Sequence, residues 1–191
     1  LDRHVVIAKS LSAERKVFGA SSSKIYVAGA LLNKQKGTLT RSQTQLMANM
    51  LVVSSNTAWT NLQSQIGGGN ADKGRAYIYS FTQGLGYKQT RGFQGTWGAM
   101  HGNELVASEI VEYLYDLYHG GFPGAETVWK FMHTCRTGAS RGLKYIPTAI
   151  YVGAKTGTYD GPTTDPETGS ETNKDGTPYK VAIRNHVMVF N

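Results

Sequence analysis

The sequence predicts an α/β fold in a single domain covering residues 1–191. Apolar residues recur at helical spacing in several segments, whereas short β-like apolar runs lie near both ends of the chain. With 191 residues and 40% hydrophobic residues, the chain can bury one substantial core. We therefore expect an antiparallel sheet flanked by helices, together with a mostly helical half.

The first third of the chain predicts a β-hairpin followed by helices. Residues 5–8 and 17–18 are apolar runs around a polar turn, which is typical of a hairpin. A helix is predicted from Ser22 onward, because apolar residues then recur on one face. After a polar break, residues 40–51 and 72–81 predict two more helices.

The middle of the chain predicts a loop and a helical pair. Residues 84–98 are rich in glycine and aromatic residues and predict a long ordered loop. Asn103 has the chemistry of a helix N-cap, and residues 104–118 continue with helical periodicity. Residues 126–135 predict a further helix.

The last part of the chain predicts two strands. A β-like run at residues 149–152 leads into a strand ending near Ala154, and residues 179–190 form a second run. We expect the two strands to pair antiparallel. Residues 159–178 between them are rich in Asp, Thr, Gly and Pro and predict a long mobile hairpin loop.

Composition excludes several classes of function. The net charge of +7 suggests affinity for polyanions, but the basic residues are scattered and no nucleic-acid motif accompanies them. We therefore expect no nucleic-acid partner. No apolar run approaches the ~18 residues that a membrane-spanning helix requires, so we expect no transmembrane segment.

Cysteine and histidine usage predicts neither a disulfide nor a metal site. Cys135 is the single cysteine, so an internal disulfide is impossible and a buried structural thiol is expected. The five histidines show no metal-ligand spacing, and we expect no metal and no cofactor. His186 is kept as a candidate cleft residue, since its strand runs beside residues 155–157.

Ser21 and Lys24 form the first candidate catalytic pair. They stand three residues apart at a predicted helix start, which puts the hydroxyl and the amine side by side. A lysine in an apolar setting can have a lowered pKa and take the proton of a serine. The pair alone is also compatible with an ordinary N-cap serine and a solvated lysine.

Two further fragments follow in a fixed order. Ser54 and Asn56 lie at the junction of two apolar helical runs, and Lys155, Thr156 and Gly157 follow a β-like run. Each fragment could be a simple turn or strand end. In this order, the three fragments match the S-x-x-K, S-x-N and K-T-G signatures of penicillin-recognising enzymes.

The sequence therefore resembles the serine β-lactamase and penicillin-binding protein superfamily, and most of all the class A β-lactamases. Residues 54–62 look like the family's S-D-N-T-A-x-N-L helix start, with Ser55 in place of the aspartate and one extra residue before Asn61. Residues 137–147 look like its T-G-x-x-R-I-x-x-x-x-P segment. The resemblance implies a β-lactamase/transpeptidase-like fold that is truncated at both ends.

The resemblance also implies residue roles. Ser21 would be the nucleophile, Lys24 its base and Ser54 a proton relay to the leaving nitrogen. Asn56 would hold Lys24 and the substrate amide, while Lys155 and Thr156 would bind the substrate carboxylate. The backbone N–H groups of Ser21 and Thr158 would form the oxyanion hole.

Two departures from the family pattern affect the expected function. The distance from Ser21 to Ser54 is about half that in the family, and the loop that should carry a deacylating glutamate has no acid. Asp72 is the single acid between Asn56 and Glu104, and it comes too early. The missing glutamate favours slow deacylation.

We expect a D,D-peptidase-like enzyme acting on small-molecule or peptidoglycan-peptide substrates. A class A-like β-lactamase is the first alternative, and a non-catalytic wall-binding or sensor domain is the second. The resemblance implies an exported, periplasmic or extracellular protein.

Overall fold

The computed structural model describes residues 13–91, 93, 103–137, 145, 147, 151–162, 170–178 and 180–190. In chain order the described elements are β1 (Lys16–Phe18), a short 3-10 helix (Ala20–Ser23), α1 (Lys24–Lys34), α2 (Arg41–Leu51), α3 (Asn56–Ile66), α4 (Ala71–Gly84), β2 (Glu104–Val106), α5 (Ala107–His119), α6 (Ala125–His133), β3 (Tyr151–Pro162) and β4 (Lys180–Phe190). The predicted strand at residues 5–8 lies outside the described residues, as does most of the predicted loop after residue 91.

Helix α1 lies at the centre of the core. Every residue from Lys24 to Leu32 is buried, so the helix is enclosed on all faces and not only on the apolar face that its periodicity predicts. Gly29 permits this enclosure, because a Cβ there would lie 2.0 Å from the Tyr113 hydroxyl oxygen. That hydroxyl donates to the carbonyl of Ile25 and fixes α5 against α1.

Local capping sets where the surrounding helices begin. Thr40 and Gln43 form a reciprocal capping box at α2, with contacts of 3.2 and 3.0 Å. Ser55 caps α3 by accepting from the backbone N–H of Ala58 at 3.1 Å. The predicted helices at residues 40–51 and 72–81 are confirmed, although the second extends over Ala71–Gly84.

Tertiary pairing overrides one helix prediction. Strand β1 pairs antiparallel with β2, with Lys16 opposite Val106 and Phe18 opposite Glu104. The prediction that Asn103 caps a helix starting at residue 104 is therefore wrong. Residues 104–106 satisfy their backbone groups against β1, and α5 begins at Ala107 with Val106 at its N-cap.

The predicted antiparallel pair near the end of the chain is confirmed as β3 and β4. Lys155 lies opposite Val187, and Thr158 lies opposite Arg184. Strand β3 runs to Pro162, so the K-T-G residues lie within the strand and not after its end. The predicted loop at 159–178 is correspondingly shorter at its start.

Two glycines allow β3 to approach its neighbours closely. A Cβ on Gly153 would lie 3.2 Å from the Met132 Cβ atom of α6. A Cβ on Gly157 would lie 2.6 Å from the Gly19 carbonyl oxygen and 2.9 Å from the Ser22 nitrogen. Strand β3 is thereby packed against the 3-10 helix that carries Ser21.

None of the helices in the described part of the chain is long and apolar enough to cross a membrane.

Candidate active site

A strained turn presents Ser21. Ala20 has a φ of +45°, a left-handed conformation that non-glycine residues rarely adopt. Asn103 holds this turn, since its Nδ2 donates to the Ala20 carbonyl at 2.9 Å and its own carbonyl accepts from Gly19 N at 2.9 Å. Ser21 follows as the second residue of the 3-10 helix, at 8% exposure and three residues before α1 begins.

Lys24 joins the Ser21 turn to the α2–α3 junction. Its Nζ atom lies 3.0 Å from Ser21 Oγ, 2.6 Å from the Ser54 carbonyl oxygen and 2.7 Å from Asn56 Oδ1. The Ser54 Oγ atom is 3.3 Å away. The side chain is fully buried, so these polar contacts are its immediate surroundings.

Burial, and after it the charge of Lys155, lowers the pKa of Lys24 from 10.5 to about 6. The amine is therefore mostly neutral at pH 7 and has two N–H groups and one lone pair. The Ser54 carbonyl and the Asn56 Oδ1 atom can only accept, so they take both N–H groups. The lone pair is then available to Ser21 Oγ, which is the arrangement that a general base requires.

Backbone strain also positions Ser54. Its φ is +63°, in the left-handed region, and this conformation lets its carbonyl reach Lys24 while Ser55 begins α3. The Ser54 hydroxyl accepts from Lys155 Nζ at 2.9 Å. Ser54 Oγ therefore lies between two lysine amines, in a position to pass on a proton.

Lys155 and Thr156 complete the cluster from strand β3. Both are buried, and Lys155 Nζ also donates to the Thr156 carbonyl at 2.6 Å. The Thr156 hydroxyl oxygen lies 2.5 Å from Thr137 Oγ1. Thr158, two residues further along β3, is half-buried and faces Arg184 across the pair of strands.

Of the seven predicted residues, the structure joins five through their side chains and a sixth, Thr156, through its backbone carbonyl. Ser21, Lys24, Ser54, Asn56 and Lys155 are joined by hydrogen bonds, and Thr156 accepts from Lys155 through its carbonyl. The side chain of Thr158 is linked to the cluster only through its position on β3.

Sequence reasoning missed two neighbours of this cluster. The Trp59 ring centroid lies 5.1 Å from Lys24 Nζ, and the ring is 4% exposed. Thr137 contacts Thr156, as described above. Trp59 stands three residues after Asn56 and so lies on the same helix face, and this spacing could have predicted its place beside Lys24. Thr137 carried no comparable indication beyond its place in the 137–147 segment.

The remaining candidates lie as follows. His186 is half-buried and lies directly across from Thr156 on β4. Asp72 lies on the exposed side of α4, where it pairs with Arg75 and not with the cluster. The described residues contain no group of three or more His, Cys, Asp or Glu side chains that could hold a metal ion.

A sequence model described as the beta-lactamase enzyme family matches residues 21–184, a range that includes every residue of the cluster. The chain belongs to the beta-lactamase enzyme family. No curated protein matches the sequence. Membership identifies the protein as a β-lactamase-like hydrolase, and it confirms the resemblance that the three motifs predict.

Solved beta-lactamase structures show the same fold. One is a beta-lactamase from Chitinophaga pinensis, with 18% identity, a TM-score of 0.66 and coverage of 95% of this chain and 80% of that one. Another is the TLA-3 extended-spectrum beta-lactamase, with 17% identity, a TM-score of 0.65 and coverage of 92% and 78%. The α/β fold of antiparallel strands and flanking helices is thereby confirmed as β-lactamase-like.

Proposed function

We propose that this beta-lactamase family member forms an acyl-enzyme at Ser21 with penicillin-like or D-Ala-D-Ala-type substrates. The observation that carries the proposal is the buried contact between Ser21 Oγ and Lys24 Nζ, whose pKa is lowered to about 6. A serine hydroxyl needs a neutral base within hydrogen-bond distance, and this amine meets both conditions.

In the acylation step, Lys24 Nζ takes the proton of Ser21 as Oγ attacks the substrate carbonyl carbon. The carbon–nitrogen bond then breaks, and the Ser54 hydroxyl gives its proton to the leaving nitrogen. The Lys24 ammonium, 3.3 Å away, returns a proton to Ser54 Oγ. Protons and electrons balance without any further reactant.

Lys155 and Thr156 would bind the substrate carboxylate, with Thr158 beside them. Lys155 brings a positive charge into a buried site, where a charge-assisted contact is typically worth about 1.5–3 kcal/mol. The backbone N–H groups of Ser21 and Thr158 would form the oxyanion hole. The close packing of Gly157 on the 3-10 helix supports this assignment, because it brings the two backbones together.

The fate of the acyl-enzyme separates two candidate activities. Asp72, the single acid between Asn56 and Glu104, is exposed on α4. Glu104 is held by Arg91, and Glu109 accepts from the backbone N–H groups of Gln89 and Thr90. None of these described carboxylates faces Ser21, so we propose slow deacylation and a D,D-peptidase-like role in peptidoglycan metabolism.

Hydrolysis of β-lactam antibiotics is the second candidate, and the family match favours it. It would need a base for the deacylating water outside the carboxylates considered above. A non-catalytic wall-binding or sensor role is the least supported, since binding alone does not require a buried lysine whose amine is neutral. We also propose that residues 1–191 form one domain of an exported protein.

Intact mass measured over time after addition of benzylpenicillin tests both levels of the proposal. We expect one equivalent of adduct, mapped to Ser21, that persists with little turnover, since general-base assistance is typically worth about 100- to 10,000-fold. Ser21→Ala should abolish the adduct. Ser22→Ala is the matched control, because the Ser22 hydroxyl is buried and has no hydrogen-bond partner among the described residues.

The outcomes are distinct. An adduct on another residue, or neither an adduct nor penicillin hydrolysis, would refute acylation at Ser21. Rapid penicillin hydrolysis without a visible adduct would instead preserve the nucleophile and establish the β-lactamase alternative.

A further inference from the structure

We propose that Thr137 is a positioning residue for the substrate carboxylate: it orients the hydroxyl proton of Thr156 toward the ligand. This inference rests on the proposed function of the Ser21 site and adds a specificity determinant to it. Thr137 lies outside the three motifs, on the segment that follows α6.

The contact between the two threonine hydroxyls is short and largely shielded from solvent. Thr137 Oγ1 and Thr156 Oγ1 are 2.5 Å apart, and Thr156 is only 3% exposed. At this separation one proton lies between the two oxygens, so one hydroxyl donates and the other accepts. The direction of this hydrogen bond decides what Thr156 can offer a ligand.

A third group favours one direction. The Cys135 Sγ atom lies 3.3 Å from Thr137 Oγ1, and a thiol is a weak donor. If Cys135 donates to Thr137 and Thr137 donates to Thr156, the proton of Thr156 is left for an acceptor in the cleft. A carboxylate accepts hydrogen bonds only, so it recognises Thr156 in this orientation.

The segment that carries Thr137 is anchored on both sides of the cleft. Arg136 N donates to the Val52 carbonyl at 3.0 Å, two residues before Ser54. On the other side, α6 packs on β3 at Gly153. Thr137 is therefore held between the Ser54 junction and the strand of Thr156, where a hydroxyl can act on the orientation of its neighbour.

Removal of the hydroxyl tests the proposal. In a Ser21→Ala background, which allows binding without acylation, we would measure the dissociation constants of benzylpenicillin and its methyl ester. Thr137→Val should raise the constant for the free carboxylate by about threefold to tenfold, the worth of one net hydrogen bond. The ester should change by less than about twofold, and it reports whether the cleft is intact.

Two matched variants make the test specific. Thr137→Ser keeps the hydroxyl and should bind the carboxylate as the parent does. In a Thr156→Val background, Thr137→Val should have no further effect, because Thr137 acts through Thr156. A thermal melt of each variant identifies any that fails to fold, in which case Thr137→Ala replaces the valine variant.

Each result decides the question. Equal losses for acid and ester, failure of Thr137→Ser to restore binding, or a full Thr137→Val effect without the Thr156 hydroxyl would each overturn the inference. Failure of the proposed function shows separately, as absence of both a Ser21 adduct and penicillin hydrolysis in the wild-type protein. The comparison of acid with ester still measures the effect of Thr137 on binding.

Discussion

Removal of the Lys155 charge should shift the pH dependence of acylation in a direction that the structure specifies. Lys155 Nζ and Lys24 Nζ both contact Ser54 Oγ, at 2.9 and 3.3 Å, so the two nitrogens are at most about 6 Å apart. At an effective dielectric constant of about 20, unit charges at that distance repel by about 3 kcal/mol, or about two pKa units. This repulsion is second to burial among the causes that lower the pKa of Lys24 to about 6.

The sign of the expected pH shift follows from the proposed role of Lys24 as a base. Acylation needs the neutral amine, so the rate falls as pH falls through the pKa of Lys24. With the methyl ester of benzylpenicillin, the wild-type acylation rate should therefore have an acid limb with a midpoint near pH 6. Lys155→Met removes a positive charge, raises the pKa of Lys24 and should move this midpoint upward by about one to two units.

Stopped-flow acylation rates between pH 5 and 9 would measure the shift. The ester avoids the separate loss of carboxylate binding that the same variant should cause. Lys73→Met, which removes an exposed lysine of α4, is the matched control and should leave the midpoint in place. An unchanged midpoint in Lys155→Met, or a wild-type midpoint close to 10, would refute the assignment of Lys24 as a base depressed by burial and by Lys155.

Three other outcomes are expected. Between pH 7 and 9 the unfolding free energy of the wild type should rise by about 2.7 kcal/mol relative to Lys24→Met, because the unfolded lysine binds a proton that the folded one lacks. Urea unfolding would measure both proteins, and parallel pH profiles would contradict this prediction. Trp59→Leu should lower the midpoint of the acid limb of acylation by about half a pH unit to one pH unit, because the ring stabilises the ammonium form of Lys24. Trp59→Phe should give an intermediate midpoint. An upward shift would rule out a stabilising contact between the ring and the ammonium. Gly157→Ala should lower the melting temperature and the acylation rate, since its Cβ would meet the Gly19 carbonyl at 2.6 Å. Gly84→Ala should do neither, because no described residue lies within 4 Å of a Cβ there. Equal behaviour of the two variants would count against close packing at Gly157.

Local chemistry in the sequence is sufficient for much of the helical half. The side chains of Thr40 and Gln43 cap their own helix, and Ser55 caps α3, so these starts depend on neighbours a few positions away. The order of the three motifs likewise indicates which side chains share a site. The family match and the hydrogen bonds around Lys24 agree with that indication.

Other features depend on contacts between residues far apart in the chain, which sequence periodicity cannot predict. Residues 104–106 look helical until β1 pairs with them. Helix α1 looks one-sided until α2, α3, α4 and α6 pack around it. Asn103 looks like a helix cap, but it instead holds the turn before Ser21 across 83 positions of sequence.

The sequence alone determined the type of residue at each candidate catalytic position, because the capacity to act as a nucleophile, a base or a carboxylate-binding cation belongs to the side-chain type. Only the tertiary structure decided the protonation state and the hydrogen-bond direction of these side chains. Burial neutralises Lys24, a left-handed turn aims the Ser54 carbonyl at it, and Thr137 reaches Thr156 from another segment. Protonation and hydrogen-bond direction depend on what surrounds a group in space, and the surroundings here come from four separate parts of the chain.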